Sequence, residues 1–231
     1  MVRLQRGAPP ALLVEHGAAW TQRWKEIRAS QGVRDWAPKN AKKLISEELQ
    51  KLTHGKCAFC ETVLGVGSHL EIEHHFAKSS YPERAFEWSN LFPVCRKCNS
   101  SKGSADHSGV LIKPDVEDPQ SMIWFHWGTG ELEPRAKLQK ENRQRVERTL
   151  ELWDLQRGPL CAKRIEKMEF AIRWMERMAH LGSGLSPLLR EEWLQLSDPR
   201  SEYKLVVRQV LESREERRLA EWDRRRFRIG E

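Results

Sequence analysis

The chain has 231 residues, 39% of them hydrophobic and 32% charged, with ten Trp; this much bulky apolar material excludes a disordered chain and predicts a globular protein folded nearly throughout. The formal charge of +7 suits an anionic partner such as nucleic acid, and the excess lies at the two ends, with nine Lys/Arg against five Asp/Glu in residues 1–50 and nine against seven in 201–231. No window reads as a signal peptide or a membrane span, so no membrane association and a cytoplasmic location are expected.

Taken in chain order, residues 12–30 place Leu13, Ala18, Trp20, Trp24 and Ile27 at spacings of one helical face, and a second helical pattern runs over 38–52 after a break from Gly32 to Pro38. Residues 1–55 are therefore predicted as an N-terminal helical segment. Residues 56–110 change character, crowding Cys pairs, Gly65, Gly67 and turn-rich sequence around a short run from His69 to Phe76, as a small metal-stapled module does. Residues 111–135 read as a loop and a β-hairpin, with aromatic residues flanking Gly128 and Gly130. From 136 to 231 the pattern is helical, with breaks at Gly158-Pro159, Gly182 to Pro187 and Asp198-Pro199 that predict four helices. The fold class expected is α+β, a small module embedded in a mostly α-helical chain.

Four of the five Cys form two Cys-x-x-Cys pairs, Cys57 with Cys60 and Cys95 with Cys98. Each pair can turn two thiolates onto one ion, and two pairs complete the tetrahedral four-sulfur shell that zinc takes. Such a shell is closed, so this zinc is expected to be structural. Cys161 is left over.

Between the pairs lie Glu71, Ile72, Glu73, His74 and His75, then Trp88, Ser89, Asn90 and Leu91, with Asn99 and Lys102 directly after Cys98. An acidic residue and His ending a strand, a central Asn before an apolar run, and Cys-x-x-Cys-Asn-x-x-Lys together resemble the HNH nuclease motif in its zinc-knuckle form. The resemblance implies a ββα-metal module, with two strands and a helix around one divalent cation. It implies Glu73 and Asn99 as oxygen ligands to Mg²⁺ or Mn²⁺, His74 as general base, and Asn90 as the residue that orders the loop and orients the base. A register shifted by one, with His74 as ligand and His75 as base, stays open. Lys102 has two readings, a phosphate contact or a solvated helix end. The alternative for the whole module is a non-catalytic zinc unit that binds nucleic acid or protein.

A longer pattern adds Lys78-Ser79, Tyr81-Pro82, Leu111-Ile112, Pro114, Glu117 to Pro119, and then Leu152, Leu155, Arg157, Leu160 and Arg164. It is similar to the HNH effector nucleases of Septu-type and retron-associated anti-phage systems, with Ala77 where Pro is expected and Lys113 where an acidic residue is common. This likeness implies hydrolysis of phosphodiester bonds, in DNA ahead of RNA, alongside a separate ABC-like or SMC-like ATPase. No Walker-type phosphate loop occurs in the chain, so ATP chemistry belongs to another subunit. The C-terminal helices with Trp153, Trp174, Trp193 and Trp222 read either as a docking body or as a scaffold. The tail from Arg214 to Arg228 reads as a solvated ion-paired helix, or, through Arg224 to Arg228, as a phosphate clamp.

Overall fold

The computed structural model describes residues 1–30, 35–65, 69–104, 107, 109–181 and 187–213, with backbone alone for 178–181, 187–190 and 197. Helix α1 (Ala11–Ala29) buries Leu13, Gly17 and Trp24 and half-buries Trp20 and Ile27. Alternating steps of four and three residues keep these five on one face. Ala18 does not belong to it: it is exposed, lying about 100° around the helix from Gly17. Gly17 takes the inward place against Phe86, where an added Cβ would meet the Phe86 Cβ at 3.9 Å.

Helix α2 (Lys39–Thr53) turns Ala41, Ile45, Leu49 and Thr53 inward at four-residue spacing. It stops where His54 adopts φ 53° and the Gly55 N–H donates to the Gln50 carbonyl at 2.8 Å. Strands β1 (Leu70–His74) and β2 (Leu91–Cys95) pair antiparallel, Leu70 opposite Cys95 and His74 opposite Leu91. Helix α3 (Arg96–Lys102) follows β2 directly. Between the strands, the connection folds into two 3-10 turns, Pro82–Arg84 and Trp88–Asn90.

A one-turn helix, α4 (Pro119–Met122), is capped by the Asp118 side chain accepting from the Gln120 N–H. The expected hairpin follows as β3 (Ile123–Phe125) and β4 (Leu132–Pro134), shorter than its sequence suggested because Ser121 and Met122 belong to the capped turn. Gly130 closes the hairpin at φ 75°, and a Cβ there would stand 2.3 Å from the Cys161 carbonyl oxygen, so only glycine fits. Four helices follow among the described residues: α5 (Lys140–Leu152), α6 (Gly158–Leu181), α7 (Pro187–Ser197) and α8 (Lys204–Ser213), separated at the predicted breaks. The Arg-rich tail and Trp222 lie outside the described residues. Among the described residues the chain is α+β, about 53% helical, with two small two-stranded sheets.

Two apolar clusters flank β2. Leu91 joins Leu13, Trp24, Ile45, Leu49 and Phe86 on the side of α1 and α2. Phe92 and Val94 join the larger cluster with Phe59, Trp153, Trp174 and the α8 residues Leu205, Val206 and Val210. Within it the Phe59 and Trp153 rings stack at 3.7 Å. Trp153 and Trp174 are thus core residues, while Trp193 stacks on Trp174 at 4.8 Å and is 37% exposed. The C-terminal helices pack directly on the cysteine-bearing segments. Among the described residues no helix is long and apolar enough to cross a membrane.

Candidate active site

The two Cys pairs converge. The sulfur atoms of Cys57, Cys60, Cys95 and Cys98 all lie within 4.8 Å of one another and are buried. Cys60 and Cys95 are 3.7 Å apart, close to the edge of about 3.8 Å that a tetrahedron with metal–sulfur bonds of about 2.3 Å requires. Local hydrogen bonds shape both knuckles: the Glu61 N–H donates to the Cys57 carbonyl at 3.1 Å and the Cys98 N–H to the Cys95 sulfur at 3.4 Å. The Ala58 N–H, donating to the Pro93 carbonyl at 2.9 Å, ties the first knuckle to β2. These residues fit a metal such as zinc.

Burial pushes the Cys57 thiol well up, whereas the hydrogen bond with Cys57 holds Cys60 well below the usual thiol range. Arg157 brings both terminal nitrogens to 3.9 Å from the Cys98 sulfur, held there by donating to the Asp154 carbonyl at 2.7 Å. A divalent ion held by four thiolates would carry two net negative charges, and the half-buried guanidinium would offset part of them. Cys161 stands apart, donating to the Gln156 carbonyl at 3.4 Å.

A cavity of about 300 Å³ opens beside the end of β1, and Glu73, His74 and Asn99 all line it together with Lys78 and Lys102. Trp24 and Arg28 of α1 complete its wall. The His74 Nε2 lies 2.9 Å from the Ala85 carbonyl oxygen. A carbonyl only accepts, so Nε2 carries the proton and Nδ1 keeps the lone pair. That Nδ1 is buried without a hydrogen-bond partner among the described residues. Burial, reinforced by the positive charge of Lys78, holds the His74 pKa down at about 3, so the ring is neutral at neutral pH.

Glu73 is 5% exposed, and its Oε1 accepts from the Lys102 ammonium at 2.6 Å. Burial raises the Glu73 pKa, and Lys102 opposes that rise. Lys102 also donates to the His74 carbonyl at 3.1 Å and is itself 3% exposed. A solvated helix end is therefore excluded for this residue. Asn99 donates its amide to the Glu71 carboxylate, which shares the strand face of Glu73 two residues away. A buried carboxylate with an amide in the same cavity is an oxygen donor set that fits a hard divalent cation.

Asn90 is fully buried and lies outside this cavity. Its Oδ1 accepts from the Phe76 N–H at 2.7 Å, and its Nδ2 donates to the carbonyls of Phe76 and Arg84 at 3.0 Å each. One side chain thereby clamps both ends of the loop that brings Ala85 to His74. His75 points elsewhere, its ring 5.4 Å from that of Phe76 and 6.0 Å from that of Phe92. Burial holds its pKa down at about 4.

Glu71, Lys78, Ala85 and the α1 residues were not singled out from sequence as parts of the site. Glu71 had a signal, since period-two alternation puts it on the face of Glu73. Lys78 follows His74 by four residues in the loop after β1, whereas Ala85 and the α1 residues come from segments further away in sequence, and spacing alone does not reveal such contacts. The longer pattern also finds its physical meaning here: Arg157 faces the cysteine cluster, and buried Arg164 donates to the carbonyls of Gly130 at 3.1 Å and Leu155 at 2.8 Å.

Over 125 residues the chain is 32% identical to Septu protein PtuB of Bacillus thuringiensis, covering 53% of this chain and 46% of the relative. The chain is PtuB-like. A second Septu protein PtuB, from Bacillus mycoides (strain KBAB4), is 26% identical over 200 residues, covering 71% of this chain and 66% of that protein. The PtuB-like chain thus spans about half to two thirds of the length of these curated relatives. No family model matches it.

Proposed function

We propose that this chain is a metal-dependent HNH-type endonuclease that hydrolyses phosphodiester bonds of nucleic acid, and that it serves as the effector of a Septu-type anti-phage defence system in the cytoplasm. The observation that carries the reading is the single cavity shared by Glu73, His74, Asn99, Lys78 and Lys102. The similarity to Septu PtuB proteins supports the defence role. In that role a separate ABC-like or SMC-like ATPase supplies the nucleotide chemistry for which this chain has no phosphate loop.

In this reading Glu73 and Asn99 hold a divalent cation, Mg²⁺ or Mn²⁺. That ion supplies Lewis-acid stabilisation of the phosphate and the leaving 3′ oxygen. The bond from Nε2 to the Ala85 carbonyl fixes the ring of His74, so that its free Nδ1 takes the proton from the attacking water. A bound phosphodiester anion raises the basicity of His74 by opposing Lys78 and Lys102. Asn90 positions Ala85 through the loop rather than touching the reacting atoms. The four Cys hold structural zinc and thereby fix α3, which carries Asn99 and Lys102.

Incubating the purified protein with supercoiled plasmid and with single-stranded DNA or RNA, in Mn²⁺ or Mg²⁺ and with its ATPase partner present or absent, tests the proposal. Nicked or cut products with 5′ phosphate and 3′ hydroxyl ends are expected. No cleavage in any combination, or cleavage that persists without divalent cation, overturns it.

A further inference from the structure

A second cavity, of about 380 Å³, lies between α1 and the start of α2. Its walls include Trp20, Arg23 and Ile27 from α1 and Asp35, Trp36 and Lys39 from the approach to α2. Both indoles are half-buried and both lean on the buried Phe86 ring, Trp20 at 5.4 Å and Trp36 at 4.8 Å between centroids. They form a fixed aromatic wall rather than loose surface side chains.

The groove adjoins the catalytic cavity, although no residue lines both. The Trp36 ring meets the His74 ring edge-on at 4.5 Å. On α1, Arg23 and Ile27 line the groove while Trp24 and Arg28, one residue on from each, line the catalytic cavity. The rim is cationic, with Arg23 and Lys39 exposed, and exposed Arg28 stands on the wall of the neighbouring cavity. The carboxylate in the groove, Asp35, is paired with Lys42 at 2.8 Å, and that hydrogen bond holds its pKa down.

Aromatic faces beside a cationic track are what a flexible nucleic-acid strand needs, because every base has a face to stack and every phosphate a charge to meet. A duplex keeps its base faces covered and cannot use the indoles. Resting on the nuclease reading above, we propose that the groove between α1 and α2 is a base-stacking subsite for a single-stranded segment of nucleic acid next to the phosphate presented to His74. The N-terminal helices then select strand state, while the ββα segment supplies the chemistry.

The test is equilibrium binding of a fluorescein-labelled 12-nucleotide single strand, and of the matching duplex, to the full chain carrying His74→Ala, without divalent cation. Adding Trp20→Ala is expected to weaken single-strand binding about tenfold or more, the range that loss of one stacked base gives, with duplex binding unchanged. Trp20→Phe keeps a stacking face and is expected to stay within about threefold of the parent. Arg23→Glu, at an exposed position, is expected to weaken binding and lower its salt slope, and it decides the matter if Trp20→Ala fails to fold. A parent that binds no single strand overturns the proposal, as do equal affinities across folded variants. Loss of ATPase binding with oligonucleotide affinity intact assigns the groove to a protein partner and likewise overturns it. Because binding is read without cleavage, the subsite stands even if no cutting is ever seen, and it falls alone if cutting is seen but the groove variants bind like the parent.

Discussion

The Lys102 ammonium lies 2.6 Å from the Glu73 carboxylate, with the two side chains 1% and 6% exposed. Removing one member of such a pair leaves a buried charge uncompensated, at a cost of about 3–5 kcal/mol. Lys102→Met should therefore lower the thermal midpoint sharply in buffer free of divalent cations. Added Mn²⁺ should recover more of that loss than it adds to the wild type, since Glu73 then has a cation again. Equal Mn²⁺ responses in the two proteins would argue against Glu73 as an ion ligand.

Asn90 makes three hydrogen bonds to backbone with no exposed surface. Asn90→Ala should cost about 2–4 kcal/mol, from buried backbone groups losing their partners at about 1–3 kcal/mol each with partial relaxation. Chemical denaturation measures it. A loss below about 0.5 kcal/mol, the scale of ordinary surface changes, would contradict the clamp.

Burial keeps His74 and His75 neutral, with pKa values down at about 3 and about 4. An unfolded histidine titrates near about 6.5. Both folded values are depressed, so the unfolded chain binds more protons between pH 6.5 and 4. The stabilising contribution is whole above about pH 6.5 and declines as pH falls toward the folded values. From pH 7 to 5 each histidine should withdraw about 2 kcal/mol of stability. Urea midpoints across that range, compared with those of His75→Gln, measure the share of His75. An unchanged pH slope in the variant would contradict its neutral burial.

Arg157 faces the Cys98 sulfur at 3.9 Å from both terminal nitrogens. The purified protein should carry one zinc per chain, and Cys95→Ser should lose both the metal and the near-ultraviolet circular dichroism of the packed aromatic residues. Arg157→Met should retain zinc but weaken its hold about 10- to 100-fold, as changes beside metal ligands do. Competition with a colorimetric chelator measures that affinity. Wild-type affinity in Arg157→Met would remove the electrostatic role assigned to the guanidinium.

Much of this was legible in the sequence because it is local. Two Cys-x-x-Cys turns fix their own knuckles, glycine and proline mark the ends of the C-terminal helices, and strand alternation separates His74 from His75. The contributions of Trp24, Arg28 and Trp36 to the neighbourhood of His74 were not legible, since they depend on how α1 and α2 dock. Gly17 is passed over in favour of Ala18 because an apolar pattern scores side chains, whereas the inward place against Phe86 is taken by a residue that has none. Lys102 was ambiguous for a related reason: a lysine ending a helix is ordinarily solvated, and only the fold reveals the buried carboxylate it meets.

In the proposed function His74, and not His75, is the base of a divalent-ion-dependent nuclease. The most direct test is the single-turnover cleavage rate in Mn²⁺ for wild type, His74→Ala and His75→Gln, with circular dichroism as a check on folding. A loss of about 10²–10⁴-fold is expected for His74→Ala, the scale of a removed general base, and a His75→Gln rate within about tenfold of wild type. A His74→Ala rate equal to wild type, or the larger loss falling on a folded His75→Gln, would contradict that role.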